Sequence, residues 1–174
     1  MLNLFKKSPD PDAVYAVYRA IVAQSRQPVF YAQWGVPDTV TGRFDMICLH
    51  MSLAFRRLNG AGKPASDFAQ ALFDLFFKDM DRNLREMGAG DLAVPKKIRN
   101  MGNIFYGLMT NLNEAMERGD RAGAEAVLRR NLFDDGAAGQ VEALAGYLEA
   151  QYDRLKLQPV ERVIAGQLEF SEAA

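Results

Sequence analysis

One cysteine, one histidine and one tryptophan occur among the 174 residues. A lone Cys48 excludes an internal disulfide, which suits a reducing compartment. His50 lies two residues from Cys48, so on a helix the two side chains point apart. Neither a zinc site nor a Cys–His nucleophile pair is built from that spacing alone. Cys48 reads as a small core residue and His50 as a hydrogen-bonding one. Charge of one sign is also missing: 21 basic against 22 acidic side chains leave a formal net charge of −1. That balance argues against a general nucleic-acid binder, and no DNA contact is expected. No stretch approaches the ~20 apolar residues of a membrane-spanning helix. The apolar part of Met1–Lys7 is too short for a signal-peptide core, and its lysines follow it instead of preceding it. A cytoplasmic protein is expected, touching a membrane only peripherally or through a partner. There is no Glu-x-x-His pair, phosphate loop or nucleophile elbow. Gly88-Ala89-Gly90 lacks the further glycine and the preceding strand of a dinucleotide site. No cofactor and no catalytic residue follow from these patterns.

What is present is helical periodicity. Hydrophobic residues make up 49% of the chain and charged residues 25%, ordinary values for a globular protein. The length suits one domain over residues 1–174. Asp10 and Pro11 open a first helix over about 11–26, with Val14, Val17, Tyr18, Ile21 and Val22 on one face. Pro28 ends it, and residues 28–42 read as an irregular segment rich in Pro, Gly and aromatics. A second helix is expected over about 43–58 and a third over about 66–87. The third is the most apolar, with Phe73 and Phe77 widening the stripe, and so is expected to be central. Three more follow over about 95–118, 121–133 and 138–157, with a short turn or disorder beyond Pro159. The expected fold is all-α, a single-domain bundle of about six helices with one irregular segment.

Three groups of side chains stand out. Phe30, Tyr31 and Trp34 either plug the helical core or line a groove that takes an apolar helix. Asp79, Asp81 and Asp91 form either a salt-bridged face, with Arg85 four residues after Asp81, or two or three ligands of a metal site. Lys96, Lys97 and Arg99 sit where the next helix begins, against its dipole. They are either an exposed turn paired with Asp91 or Glu86, or a contact for something acidic. A second basic group, Arg118, Arg121, Arg129 and Arg130, reads as ordinary surface charge. Five of the methionines (Met80, Met87, Met101, Met109, Met116) fall on the third and fourth helices, where most are expected to fill the core and a subset suits an adaptable groove between those helices.

Several short blocks taken together resemble the ubiquinol–cytochrome c chaperone family. They are Arg26-Gln27-Pro28 with Phe30-Tyr31; Gly35-Val36-Pro37-Asp38-Thr39; Gly42-Arg43-Phe44-Asp45; Leu49-His50; Asp79-Met80-Asp81-Arg82; Leu84-Arg85-Glu86; Gly88-Ala89-Gly90-Asp91; Val94-Pro95-Lys96-Lys97; and Phe105-Tyr106-Gly107. They span about residues 15–118, and residues 120–174 carry no recognisable motif. Leu108 stands where the resemblance would place a basic residue. The resemblance implies a bacterial member without a targeting extension, assisting assembly of the cytochrome bc1 complex. It implies a protein client, cytochrome b or another bc1 subunit, with a small partner protein or the ribosome as further contacts. The expected mechanism is shielding of apolar helices, and the expected binding residues are Tyr31, Trp34, Asp38, Arg43, Asp45, Asp79, Asp81, Asp91, Lys96 and Lys97. Two rival readings remain at this level. One is a ribosome- or RNA-associated module on the basic groups, and the other a metal-dependent enzyme using Asp79, Asp81 and Asp91.

Overall fold

Side chains that satisfy orphan backbone donors set the helix starts. The computed structural model describes residues 8–133 and 139–173. Asp10 accepts from the Asp12 N–H at 3.0 Å and opens α1 (Pro11–Ser25). Pro28 then begins a single turn, α2 (Pro28–Ala32). Thr39 Oγ1 accepts from the Gly42 N–H at 3.1 Å and opens α3 (Val40–Leu58). Two long helices follow, α4 (Lys63–Glu86) and α5 (Val94–Glu117). Asp120 accepts from the Gly123 N–H at 2.8 Å and caps α6 (Arg121–Leu132). The chain closes with α7 (Val141–Lys156), the single turn α8 (Val160–Ile164) and an extended tail.

The fold is all-α, with six longer helices as the periodicity predicts and two single turns besides. The segment 28–42 is less irregular than expected, because Pro28 both ends α1 and occupies the first position of α2, where its missing N–H costs nothing. The central helix is α3 and not α4. Every residue from Phe44 to Ala54 is buried, and α1, α4, α5 and α7 pack around it. By contrast, α4 buries one stripe, Phe68, Leu72, Phe76 and Met80, and leaves Phe73 and Phe77 half-buried. One continuous core joins Ala13 of α1 to Leu168 of the tail.

A chain of buried polar groups crosses this core. The Met46 carbonyl only accepts, so His50 Nδ1 carries the proton and donates to it at 2.8 Å. His50 Nε2 then accepts from the Tyr147 hydroxyl at 2.8 Å, and that oxygen accepts from Gln24 Nε2 at 2.8 Å. Gln24 Nε2 also donates to the Ser171 carbonyl at 2.6 Å, which Gln151 Nε2 reaches at 3.0 Å. The Ser171 N–H returns a bond to Gln151 Oε1 at 3.0 Å. Phe170 stands edge-on to the His50 ring at 5.4 Å. Burial holds His50 well below its ordinary value, at about 4, with the Met46 carbonyl opposing in part.

Candidate functional site

The helices α4 and α5 lie side by side but part at one end. Where the N-terminal half of α4 faces the C-terminal half of α5, they leave an open groove of about 820 Å³. The end of α3 supplies its floor. Phe55, Phe73, Phe105, Tyr106 and Met109 form an apolar wall, and Ser66 and Ala69 keep the α4 side low. The aromatic rings support one another: Phe55 meets Phe105 edge-on at 5.8 Å and Phe73 meets Tyr106 at 5.7 Å. Phe105 is buried, whereas Tyr106 stays 51% exposed within the same motif. Leu108, where a basic side chain is expected, is 1% exposed and part of the core.

Arg56 sits at the rim of this groove. Its guanidinium lies 4.1 Å from the Tyr152 ring, donates to the Tyr152 hydroxyl at 2.7 Å and pairs with Glu117 at 3.3 Å. Its Nε is the single buried side-chain nitrogen or oxygen without a hydrogen-bond partner among the described residues. The groove thus couples an aromatic wall to a polar end, an arrangement that suits an amphipathic segment.

The residues singled out in the sequence do not converge on it. Trp34 is 5% exposed and packs on Phe30 and Tyr147 at 5.4 and 5.8 Å, so it plugs the core and is not offered to a partner in this state. Asp45 is 4% exposed on the all-buried α3, equally out of a partner's reach. Burial pushes its carboxyl up to about 7, with no ion pair to offset it. Tyr31 is half-buried and donates to the Ser25 carbonyl at 2.8 Å, and burial pushes its phenol up to about 12. It shares a hollow of about 440 Å³ with Arg26, Asp38 and Arg43. There Asp38 accepts from Arg43 at 2.7 Å, and that bond holds the carboxyl below its ordinary value.

The acidic cluster is taken up by arginines. Asp79 accepts from the Tyr18 hydroxyl at 2.8 Å and pairs with Arg82, which ties α1 to α4. Burial first, then Asp79, raises the Tyr18 phenol. Asp81 pairs with Arg85 at 2.7 Å, and Asp91 pairs with the same arginine. Among the described residues no three or more His, Cys, Asp or Glu side chains gather where a metal ion would sit. The convergence that a metal-dependent enzyme requires is therefore not found there. Three of the second basic group are also paired: Arg118 faces Glu114, Arg121 faces Glu125 and Glu149, and Arg129 faces Glu142, while Arg130 is exposed without an ion pair among the described residues. Lys96, Lys97 and Arg99 are exposed and stand in no ion pair among the described residues.

Fold and groove together define the class, an all-α single-domain bundle with an open, partly aromatic groove on its surface. By sequence the chain belongs to the ubiquinol–cytochrome C chaperone family, which matches residues 32–170. The match reaches far past residue 118 and takes in α6, α7 and the tail, where no motif is legible. It begins after Tyr31. The chain is 23% identical over 141 residues to ubiquinol-cytochrome-c reductase complex assembly factor 1 of Xenopus laevis, covering 80% of this chain and 70% of that protein. It also matches the crystal structure of the Cbp3 homolog from Brucella abortus with a TM-score of 0.88 and 36% identity, covering 97% of this chain and 93% of that one. Among the described residues no helix is long and apolar enough to cross a membrane.

Proposed function

We propose that this chain is an assembly chaperone for ubiquinol–cytochrome c reductase, and that it holds an apolar helix of cytochrome b in the groove between α4 and α5. The groove carries the reading. Its apolar wall, Phe73, Tyr106 and Met109, offers contact at the surface of a bundle in which no helix among the described residues is long and apolar enough to cross a membrane. The low edge at Ser66 and Ala69 lets a helix approach closely, and the Arg56–Glu117 pair gives the groove a polar end. Membership of a chaperone family and the likeness to an assembly factor support binding over turnover. The client helix stays covered until neighbouring subunits take over its apolar face.

A photo-crosslinking residue placed at Tyr106, in cells making the complex, tests this directly. The expected adduct is cytochrome b, reduced about tenfold by Ser66→Arg, which fills the groove edge from an exposed position. An adduct with a different bc1 subunit would correct the client. No bc1 subunit at all, from a folded protein, would remove the groove from the function.

A further inference from the structure

At the far end of the α4–α5 pair, away from the groove, the connecting turn carries apolar and basic side chains outward together. Leu92 is 97% exposed and Met87 56% exposed. The turn is firmly built: the Ala93 N–H donates to the Gly90 carbonyl at 2.8 Å, and the adjoining Val94 is fully buried. Asp91 is clasped to the end of α4 by Arg85. Leu92 therefore projects from a fixed support, where an apolar side chain gains nothing from the fold itself.

Residues 78–99 carry six basic and four acidic side chains in a chain whose formal net charge is −1. All four acids are engaged by two arginines, Asp79 and Glu86 by Arg82 and Asp81 and Asp91 by Arg85. Lys96, Lys97 and Arg99 follow Leu92 directly and stay exposed without an ion pair among the described residues. An acidic protein partner is the less suitable occupant, because one projecting leucine and one methionine make too small an apolar patch for a stable protein interface. An apolar tip ringed by unpaired cations is the form that interfacial binding to an anionic bilayer takes.

We propose that the α4–α5 turn is a membrane-surface anchor, in which Leu92 and Met87 enter the headgroup region of an anionic bilayer while Lys96, Lys97 and Arg99 face its phosphates. The groove then stands off the membrane: Tyr106 lies about 20 Å along α5 from Ala93, at 1.5 Å per residue. The anchor is separate from the groove and does not depend on which client the groove takes.

Flotation of the full chain with phosphatidylcholine vesicles, with and without phosphatidylglycerol, tests the anchor. Binding is expected only to the anionic vesicles and is expected to weaken as salt is raised. Each basic side chain near an anionic leaflet is worth roughly fivefold in affinity, so reversing Lys96, Lys97 and Arg99 to Glu is expected to weaken binding about a hundredfold. Leu92→Asp is expected to weaken it about tenfold or more. All four sites are exposed, so thermal melting should match the parent. Reversal of Arg129 and Arg130 serves as a control and is expected to leave binding within about twofold. Removal of residues 1–7, whose Leu4, Phe5, Lys6 and Lys7 offer similar chemistry, is expected to leave the tip effects in place. Three results would overturn the proposal: no binding by the parent chain, tip variants that bind like the parent, or binding that disappears with residues 1–7 alone. Loss of bc1 assembly in the tip variants without any vesicle binding by the parent would likewise overturn it, in favour of an acidic protein partner.

Discussion

Asp45 and His50 are both buried on α3, and their titrations should pull stability in opposite directions. Burial pushes Asp45 up to about 7 from 3.8. Between about pH 4 and 7 the folded chain holds a proton there that the unfolded chain has released. The unfolded state binds fewer protons, so stability falls as pH rises through this window. At 1.36 kcal/mol per pH unit the full loss is about 4 kcal/mol. His50 behaves in reverse, since burial lowers it to about 4 from 6.5. Between about pH 4 and 6.5 the unfolded chain binds a proton that the folded chain refuses, so stability rises with pH, by about 3 kcal/mol in all. The two slopes nearly cancel below about pH 6.5, and above it only the Asp45 loss remains. Urea unfolding followed by circular dichroism at intervals from mildly acidic to mildly basic pH reads this out, with Asp45→Asn and His50→Gln beside the parent. Asp45→Asn should gain stability relative to the parent as pH rises, by about 2–4 kcal/mol at neutral pH. His50→Gln starts lower, because it breaks the link between Met46 and Tyr147, but its deficit should be smallest in acid and widen toward neutrality. Ordinary surface carboxylates affect all three proteins alike, so the differences between curves carry the result. A gap between Asp45→Asn and the parent that stays constant with pH would refute the reasoning. It would mean that Asp45 finds compensation for its charge inside the fold.

Two further outcomes follow from packing. A Cβ on Gly42 would lie 2.0 Å from the Pro37 carbonyl oxygen, so Gly42→Ala should cost about 1–3 kcal/mol, read as a lowered urea midpoint with an unchanged slope. Ending the chain at Gln167 removes the buried Leu168 and leaves Gln24 and Gln151 without Ser171. A loss of at least about 3 kcal/mol, or roughly 10 °C in thermal melting, is expected.

Much of the fold was legible because caps and apolar stripes report on it locally. Asp10–Pro11 and Asp120 marked the starts of α1 and α6, and the spacing from Phe68 to Met80 marked the buried stripe of α4. The start of α4 was placed too late because its first turn, Lys63-Pro64-Ala65, shows only a small apolar residue, although Ala65 is fully buried. The start of α3 was missed for a similar reason. Gly42 is a poor helix former, yet the Thr39 hydroxyl fixes its N–H. That α3 is central was present in the sequence but not read: no charged residue separates Asp45 from Arg56. Asp45 itself misled, since a carboxylate is ordinarily a surface group and nothing local announces its burial. The groove was half visible. Phe73 widened the stripe of α4 and Met109 lay beside that of α5, but the parting of two helices depends on contacts distant in sequence. The Asp81–Arg85 pair was read from its i, i+4 spacing and the Asp79–Arg82 pair was within reach at i, i+3, but the Asp91–Arg85 pair spans the turn after α4 and has no such signal.

The buried polar chain has a consequence for the order in which this protein is made. Gln24 lies on α1, and Ser171 is made 147 residues later. The Ala173 N–H completes the same seam by donating to Gln27 Oε1 at 3.0 Å. Until residues 171–173 are made, the glutamines of α1 and α7 face one another without the backbone that joins them. A nascent chain is thus held short of its native state until this segment emerges, and residues 171–173 act as the clasp that closes the fold.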